Sequence, residues 1–320
     1  MKKKKVVVIG GGTGTYQVLT GLKKYPLDIS AVISMCDSGG STGRLRKELG
    51  ILPPGDVRRA ILALSDLPFA EKTLEEVFDF RFDKGGSLSG HSLGNILLAA
   101  LAQITGSMDK AIREAARILN VSGKIFPISL DKTNLVAVLD DGTKVFGETN
   151  IDMRDFKLEF GVKRVYLTPK ASIFKDAANA IKEADLIILG PGDLYTSLIP
   201  TLLVEGTIDA IASCRGKLLY IVNLVTKRGE TDNFSAKDFV DEVVNYLNGA
   251  EKKLSWVLAN KATTFPKSKA YYWYKRYGCK PVKNNLTSKN YKVIEKDFTA
   301  KTTLFRHDPE KVAKTVVELL

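Results

Sequence analysis

The stretch "VVVIGGGTGT", residues 6–15, decides the fold of this 320-residue chain. Val6 to Ile9 are all β-branched, as expected of a strand that is covered on both faces. Gly10, Gly12 and Gly14 follow at once, and a helical pattern of apolar residues begins behind them. Glycines there let the backbone turn sharply and bring N–H groups to an anion at the N-terminus of the next helix. The stretch therefore predicts a strand, a loop suited to binding an anion and a helix; a tight turn without a ligand is the alternative for the loop.

A second strand and three later ones extend this unit into a parallel sheet. After a helix that Pro26 ends, "DISAVISM" (28–35) is a second apolar run. A strand, a helix and a strand in that order imply a right-handed crossover and parallel pairing. The same rhythm returns in "DLIILG" (185–190), "KLLYIVN" (217–223) and "LSWVLAN" (254–260). The pattern predicts an α/β fold with a mostly parallel sheet.

The middle of the chain has a different pattern. Its apolar residues alternate with polar ones or carry turn signals, and Asp141-Gly142 is a strong hairpin dipeptide. We therefore expect a small antiparallel insert over about residues 124–168, within a single domain that spans residues 1–320.

The charge of the chain is concentrated near its end. The net charge is +12, and Glu251–Leu320 holds 16 lysines and arginines against 6 acidic residues. Such a basic segment, 251–320, is compatible with nucleic acid, an anionic lipid surface or a polyanionic small ligand. A lysine-rich face that is merely solvated is the alternative.

Cysteine and hydropathy patterns indicate the compartment. The three cysteines are far apart, there is no C-x-x-C pair, and there are only two histidines. This composition excludes a zinc site of ordinary spacing and fits a reducing compartment. The basic start precedes only four apolar residues, too few for a signal peptide, and no stretch approaches the roughly 20 apolar residues of a membrane span. We expect a cytoplasmic protein without membrane insertion.

A second glycine-rich loop, "SMCDSGGSTGRLR" (34–46), follows the second strand. An NAD-binding fold places an acidic residue here for the ribose, and Asp37 stands at that position. However, the first loop has the spacing G-x-G-x-G rather than G-x-G-x-x-G. Two loops side by side suit a ligand with several phosphate contacts, with Asp37 on a ribose, a sugar hydroxyl or Mg²⁺. Arg44 and Arg46 either add charge-assisted bonds to it or lie on a solvated helix face.

Other polar loops follow strands at the same edge of the sheet, where open α/β sheets bind their ligands. In "LPPGD" Asp56 is expected to be a helix N-cap rather than a ligand contact, and His91 is expected to be structural. Further candidates in these loops are Asn95, Gly192, Asp193, Thr196, Ser197, Asn223 and Thr226. No Ser-His-Asp order, Walker lysine or metal-ligand cluster occurs, which favours binding of a phosphate-linked ligand, or Mg²⁺-assisted transfer, over hydrolysis.

Seven motifs occur in a characteristic order over residues 4–315: "GGGTG", "DSGGSTGRLR", "LPPGD", "GHSLGN", "GPGDLYTS", "GETD" and "RHDP". The set resembles the gluconeogenesis factor family, whose members are related to 2-phospho-L-lactate transferase. The resemblance implies a Rossmann-like, three-layer α/β/α fold. For the gluconeogenesis factors it implies binding of UDP-sugars, UDP-N-acetylglucosamine in particular, and roles in carbon-source adaptation, cell shape and envelope synthesis. For the transferases it implies a guanine nucleotide, Mg²⁺ and phospholactyl transfer to a deazaflavin.

The polar and glycine-rich loops, together with this resemblance, give a set of ligand-binding residues. They are Gly11, Gly12, Thr13, Gly14, Asp37, Gly39, Gly40, Ser41, Asn95, Gly192, Asp193, Asn223, Tyr274 and Arg306. Tyr274 and Arg306 would bring the basic C-terminal segment over a diphosphate. Asp37 is the candidate metal ligand and catalytic residue. The family often has two aspartates before this Gly-Gly, whereas here Ser38 follows Asp37, which removes a hard oxygen ligand and weakens the expectation of Mg²⁺-dependent catalysis.

The sequence thus predicts a nucleotide-sugar-binding regulatory protein that requires no cofactor and works with protein partners of envelope synthesis. A Mg²⁺-dependent transferase is the alternative. An NAD-dependent oxidoreductase would need a proton donor, for which only His91 offers itself. A nucleic-acid binder would show steep salt dependence through the lysines of 251–320. The preferred base and sugar, and whether the chain forms a homodimer, stay open.

Overall fold

The computed structural model of the chain describes residues 3–67, 72–84, 86–153, 160–261, 278–301 and 305–320, together with Tyr272, Tyr274 and Arg276. The strands, in chain order, are β1 (Lys5–Gly10), β2 (Asp28–Ile33), β3 (Lys124–Pro127), β4 (Asn134–Leu139), β5 (Lys144–Phe146), β6 (Val162–Thr168), β7 (Leu186–Leu189), β8 (Lys217–Ile221), β9 (Leu254–Asn260) and β10 (Lys292–Lys296). The helices are α1 (Gly12–Leu22), α2 (Gly40–Leu49), α3 (Gly55–Leu64), α4 (Lys72–Asp79), α5 (Leu93–Thr105), α6 (Met108–Ile118), α7 (Glu148–Asp152), α8 (Lys175–Glu183), α9 (Ile199–Leu202), α10 (Thr207–Ala212), α11 (Ala236–Tyr246) and α12 (Pro309–Val317).

Seven parallel strands form the main sheet, in the order β10-β9-β8-β7-β1-β2-β3. Val6 and Val8 of β1 are fully buried, as are Ile187 and Ile188 of β7, because helices cover both faces of the sheet. One group of helices joins α1 to α3 and α12, and another joins α8 to α10. The predicted three-layer, Rossmann-like α/β/α fold with a mostly parallel sheet is confirmed.

The strand order reverses between β1 and β7. From β1 the chain first builds outward through β2 to β3, and later through β7 and β8 to β9 on the other side. Loops leave the carboxyl ends of β1 and β7 in opposite directions at such a point, which opens a crevice between them. The loops predicted to share one edge follow strands that are all parallel, so they do share it.

A second sheet of three antiparallel strands, β5-β4-β6, forms the insert. The predicted hairpin at Asp141-Gly142 is present, with Gly142 at φ 87° and Val136 paired to Phe146. The insert begins later than residue 124, however, because β3 pairs in parallel with β2 and so belongs to the main sheet. A short apolar run such as "KIFP" does not distinguish an edge strand of one sheet from a strand of another, and long-range pairing decides between them.

In the described parts of the chain, no helix combines the length and the apolar character needed to cross a membrane.

Candidate functional site

A cleft of about 620 Å³ lies at the carboxyl ends of β1, β2 and β7. Ten of the residues that the motifs predicted as ligand contacts line it: Gly12, Thr13, Gly14, Asp37, Gly39, Gly40, Ser41, Asn95, Gly192 and Asp193. Thr196 and Ser197, also candidates from the sequence, line it as well. The crevice at the reversal of strand order is therefore the candidate ligand site.

The N-termini of α1 and α2 form the floor of the cleft. The residues that precede these helices, Gly11 and Gly39, provide no side-chain cap. The N–H of Gly12 is bonded to the Asp56 carboxylate, and the other N–H groups of the two first turns are available to a ligand. Gly12 and Gly40 have φ of +69° and +44°, a conformation that favours glycine. A β-carbon on Gly40 would meet no atom within 4 Å, because it would stand in open space.

Gly14 has a different role from that of Gly12 or Gly40. A β-carbon on Gly14 would lie 1.8 Å from the carbonyl oxygen of Pro191. The absence of a side chain therefore lets α1 pack directly on the loop after β7. Gly14 lines the cleft as predicted. The close packing of the two loops alone explains why glycine is needed at this position, whether or not a ligand binds there.

Asp56 faces the cleft and is not the N-cap that the sequence predicted. The N-cap of α3 is Pro54, and Asp56 lies in the first turn. Its carboxylate accepts a hydrogen bond from the backbone N–H of Gly12, and a β-carbon on Gly11 would lie 2.4 Å from its Oδ2. Burial, and then the charge of Asp37, raise the pKa of Asp56 to about 6. The N-cap prediction failed because tertiary contact with the first glycine loop decides the direction of this side chain.

Behind the second glycine loop lies a buried chain of polar contacts. Ser41 Oγ is 3.0 Å from His91 Nδ1, and the Asn95 amide donates to Ser41 Oγ at 3.1 Å. Arg58 Nε in turn donates to Asn95 Oδ1 at 3.1 Å. Burial lowers the pKa of His91. His91 does not line the cleft, so it holds Ser41 from behind, as expected of a structural histidine.

The cations at the cleft are not the two that the sequence suggested. Arg44 donates to the carbonyl oxygen of Ser89 at 2.6 Å, and Arg46 donates to Asn134 Oδ1 at 2.9 Å, so they join α2 to the loop at Ser89 and to the start of β4. The arginines that line the cleft are Arg58, Arg59 and Arg81. Arg58 and Arg59 follow Asp56 in "GDVRR". Their position near a predicted helix start is the sequence feature that could have indicated them as cleft residues.

The antiparallel insert supplies a second wall through α7, which the sequence analysis missed. Glu148 Oε2 accepts a hydrogen bond from the backbone N–H of Ser38 at 3.1 Å, and Ser38 Oγ lies 3.0 Å from Thr149 Oγ1. Glu148, Thr149, Asp152 and Met153 all line the cleft. Burial raises the pKa of Glu148 to about 7. Nothing local in "GETNID" indicates this contact, because the partner lies about 110 residues away in sequence.

Four of the predicted contacts do not line the cleft: Gly11, Asn223, Tyr274 and Arg306. Asn223 supports the site from behind, since its amide donates to the carbonyl oxygen of Gly192 at 2.7 Å. Tyr274 is buried against Leu224 and Phe305.

Arg306 is exposed. The structure thus brings the glycine loops together but leaves the two C-terminal contacts outside the cleft.

The chain matches known proteins over most of its length. Residues 6–299 match the family model described as "2-phospho-L-lactate transferase CofD". The chain is 47% identical over 247 residues to the gluconeogenesis factor of Halalkalibacterium halodurans, covering 77% of this chain and 74% of that protein. It is 39% identical over 326 residues to the gluconeogenesis factor of Bacillus subtilis, covering 100% and 99%.

A crystal structure of a protein from Bacillus halodurans has the same fold. It superposes with a TM-score of 0.90 at 38% identity and covers 99% of this chain and 100% of that chain. The sequence motifs, the parallel sheet and these matches agree, and the chain belongs to the CofD family, among its gluconeogenesis factors.

Proposed function

We propose that the chain is a nucleotide-sugar-binding regulatory protein whose ligand is a UDP-sugar of the UDP-N-acetylglucosamine type. One observation carries the proposal: two helix N-termini whose N-cap residues are glycines, those of α1 and α2, open into one cleft. Each N-terminus offers backbone N–H groups and the positive end of a helix dipole to an anion. Two such ends facing one volume suit two linked phosphates better than one.

The remaining lining suits the rest of such a ligand. The volume of about 620 Å³ lies within the range of small-molecule sites. Ser41, Thr149 and Ser197 provide hydroxyl groups for a ribose or a sugar, and Arg59 and Arg81 provide positive charge. We propose that the binding uses these groups of the chain and requires no cofactor.

The regulatory role rests on the relatives. Their name, gluconeogenesis factor, supports a link to gluconeogenic carbon metabolism. We propose in addition that the protein is cytoplasmic, binds no nucleic acid and adjusts cell shape and envelope synthesis through protein partners.

Calorimetric titration with UDP-N-acetylglucosamine tests the proposal, with GDP and NAD titrated alongside and each measured with and without Mg²⁺. Binding of the uridine sugar without metal, and tighter than that of GDP or NAD, supports it. Absence of binding by UDP-N-acetylglucosamine at millimolar concentration contradicts it.

A Mg²⁺-dependent phospholactyl or phosphoryl transferase is the second candidate, and one observation favours it. Asp37 and Asp56 both line the cleft, and the charge of Asp37 raises the pKa of Asp56. Mg²⁺ is commonly held by one or two carboxylates together with substrate phosphates, so these two residues fit it and would hold it. Bound there, the ion would neutralise charge on a phosphoryl group.

Mg²⁺ would need phosphate oxygens of the bound ligand in addition to these two carboxylates. Among the described residues, no three His, Cys, Asp or Glu side chains are grouped as a metal site on their own. A single-turnover assay with a nucleotide-linked donor and a deazaflavin acceptor separates the two functions, because a regulatory binder leaves the donor intact.

A further inference from the structure

The helix α7 of the antiparallel insert forms one wall of the cleft, beside the loop that follows β7. Asp152 lines the cleft from α7, Met153 lines it from directly after that helix, and Asp193 lines it from the loop. α7 packs against β4, β5 and the π-helical turn at Leu194–Leu198. The helix is only five residues long, so its own backbone bonds contribute little to holding it in place.

Lys227 links these two walls. Its Nζ forms ion pairs with Asp152 of α7, with Asp193 Oδ2 at 2.8 Å and with Glu230 Oε1 at 2.8 Å. The three carboxylates come from three separate parts of the fold. Glu230 is buried, and its Oε2 lies 3.5 Å from Thr196 Oγ1. The carboxylate nearest to Lys227 in sequence is therefore itself held in place.

The electrostatics indicate that this cluster is held together by Lys227. Burial acts to lower the pKa of Lys227, but the carboxylates of Glu230, Asp193 and Asp152 raise it overall. The lysine is therefore charged throughout the neutral range. Without it, the Asp152 and Asp193 carboxylates at the cleft would lose their shared cation and would repel both each other and an anionic ligand.

We propose that Lys227 is a positioning residue that fastens α7 to the loop after β7, and that this ionic clasp keeps the cleft closed around its anionic ligand. The second half of the proposal rests on the proposed function, whereas the first half concerns the ligand-free protein alone. The clasp consists of Lys227, Asp152, Asp193 and Glu230.

Asp152 gives the sharpest test, because two explanations predict effects of opposite sign. If Asp152 acts only through its charge, Asp152→Asn removes a negative group from the cleft and tightens the binding of an anion. If the clasp operates, the same substitution releases α7 and weakens binding. Asp152→Glu keeps the charge and adds one methylene, so its carboxylate can still reach Lys227 and under the clasp it binds like the wild type.

The first measurement is hydrogen–deuterium exchange in the ligand-free protein. The reporters are the amides of Ile151 and Met153, which bond to the carbonyl oxygens of Gly147 and Thr149. We expect Asp152→Asn to speed their exchange by about fivefold or more, as loss of a link in a charge network allows. Asp152→Glu should retain the slow exchange.

Lys227→Met is the second variant, and it should speed the exchange of α7 further. The matched controls are Asp241→Asn and Lys237→Met, which break an exposed ion pair within α11. Neither control should change exchange in α7. Unchanged exchange in both Asp152→Asn and Lys227→Met overturns the clasp, whatever the ligand.

The second measurement is the dissociation constant of UDP-N-acetylglucosamine. The clasp predicts that Asp152→Asn weakens binding by about fivefold and that Asp152→Glu does not. Equal or tighter binding by Asp152→Asn overturns the claim that the clasp closes the cleft. If the wild type binds no UDP-N-acetylglucosamine but α7 exchange behaves as expected, the proposed function fails while the clasp between the walls is supported.

Discussion

The cleft floor and the C-terminal segment were both predicted to bind the ligand, but only the floor residues lie at the cleft. The floor residues converge because β1 pairs with both β2 and β7, so the three loops that follow end at one point. Tyr274 instead packs with Leu224 and Phe305, and Arg306 is exposed outside the cleft. Contacts made by backbone in tight loops follow from local sequence, whereas the target of a long side chain depends on the whole fold.

The largest expected effect concerns the packing of the floor. Gly14→Ala should lower the free energy of unfolding by about 3 kcal/mol or more, because the new methyl group would overlap the carbonyl oxygen of Pro191. Gly40→Ala should cost only about 1 kcal/mol, the strain of a left-handed φ, while its methyl group enters the cleft and weakens ligand binding. Denaturant unfolding and titration with UDP-N-acetylglucosamine measure both. Equal stability of the two variants would show that the α1 loop has room to move.

The acidic floor should make stability depend on pH. The pKa of Asp56 is raised to about 6, so its contribution is fully present below about pH 4 and is lost as the pH rises through 6. Asp56→Asn removes this loss. The stability of the variant relative to the wild type should therefore increase by on the order of 2 kcal/mol between pH 4 and pH 8. Parallel unfolding curves at these two pH values check it, and a pH-independent difference would contradict the raised pKa.

A pair of arginines tests whether the floor or the C-terminal segment binds the phosphates. Arg59→Ala should weaken binding of UDP-N-acetylglucosamine by about tenfold, because Arg59 lines the cleft and its charge is within reach of an anion. Arg306→Ala should change it by less than about twofold, which is within the effect of a distant, screened charge. The motif resemblance alone predicts the reverse order. Titration of both variants decides, with melting temperature as the control for folding.

The smallest effect is expected at Tyr274. Its hydroxyl lies 3.5 Å from the carbonyl oxygen of Phe305, at the limit of a hydrogen bond. Tyr274→Phe keeps the ring and its packing, so ligand affinity should stay within about twofold and stability within about 1 kcal/mol. Loss of ligand binding without loss of stability would contradict this prediction and indicate that the Tyr274 hydroxyl contacts the ligand.

Much of the floor could be predicted from the sequence. The β-branched run before Gly10 and the two glycine loops are local features, and glycine spacing, strand ends and helix starts follow from them. The order of the seven motifs predicted the family. Asp56 was misjudged because an acidic residue after "PPG" is compatible with both a cap and a cleft contact, and only the position of Gly12 separates the two.

By itself, the sequence determined the parallel α/β fold, the edge at which the loops meet and the family. These depend on short-range periodicity and on residues whose backbone conformation is restricted. Only the tertiary structure decided that β3 joins the main sheet, that α7 forms a wall of the cleft and that Lys227 connects it to Asp193. These contacts join residues about 30 to more than 90 positions apart, so only the folded chain brings the paired strands and the opposite charges together.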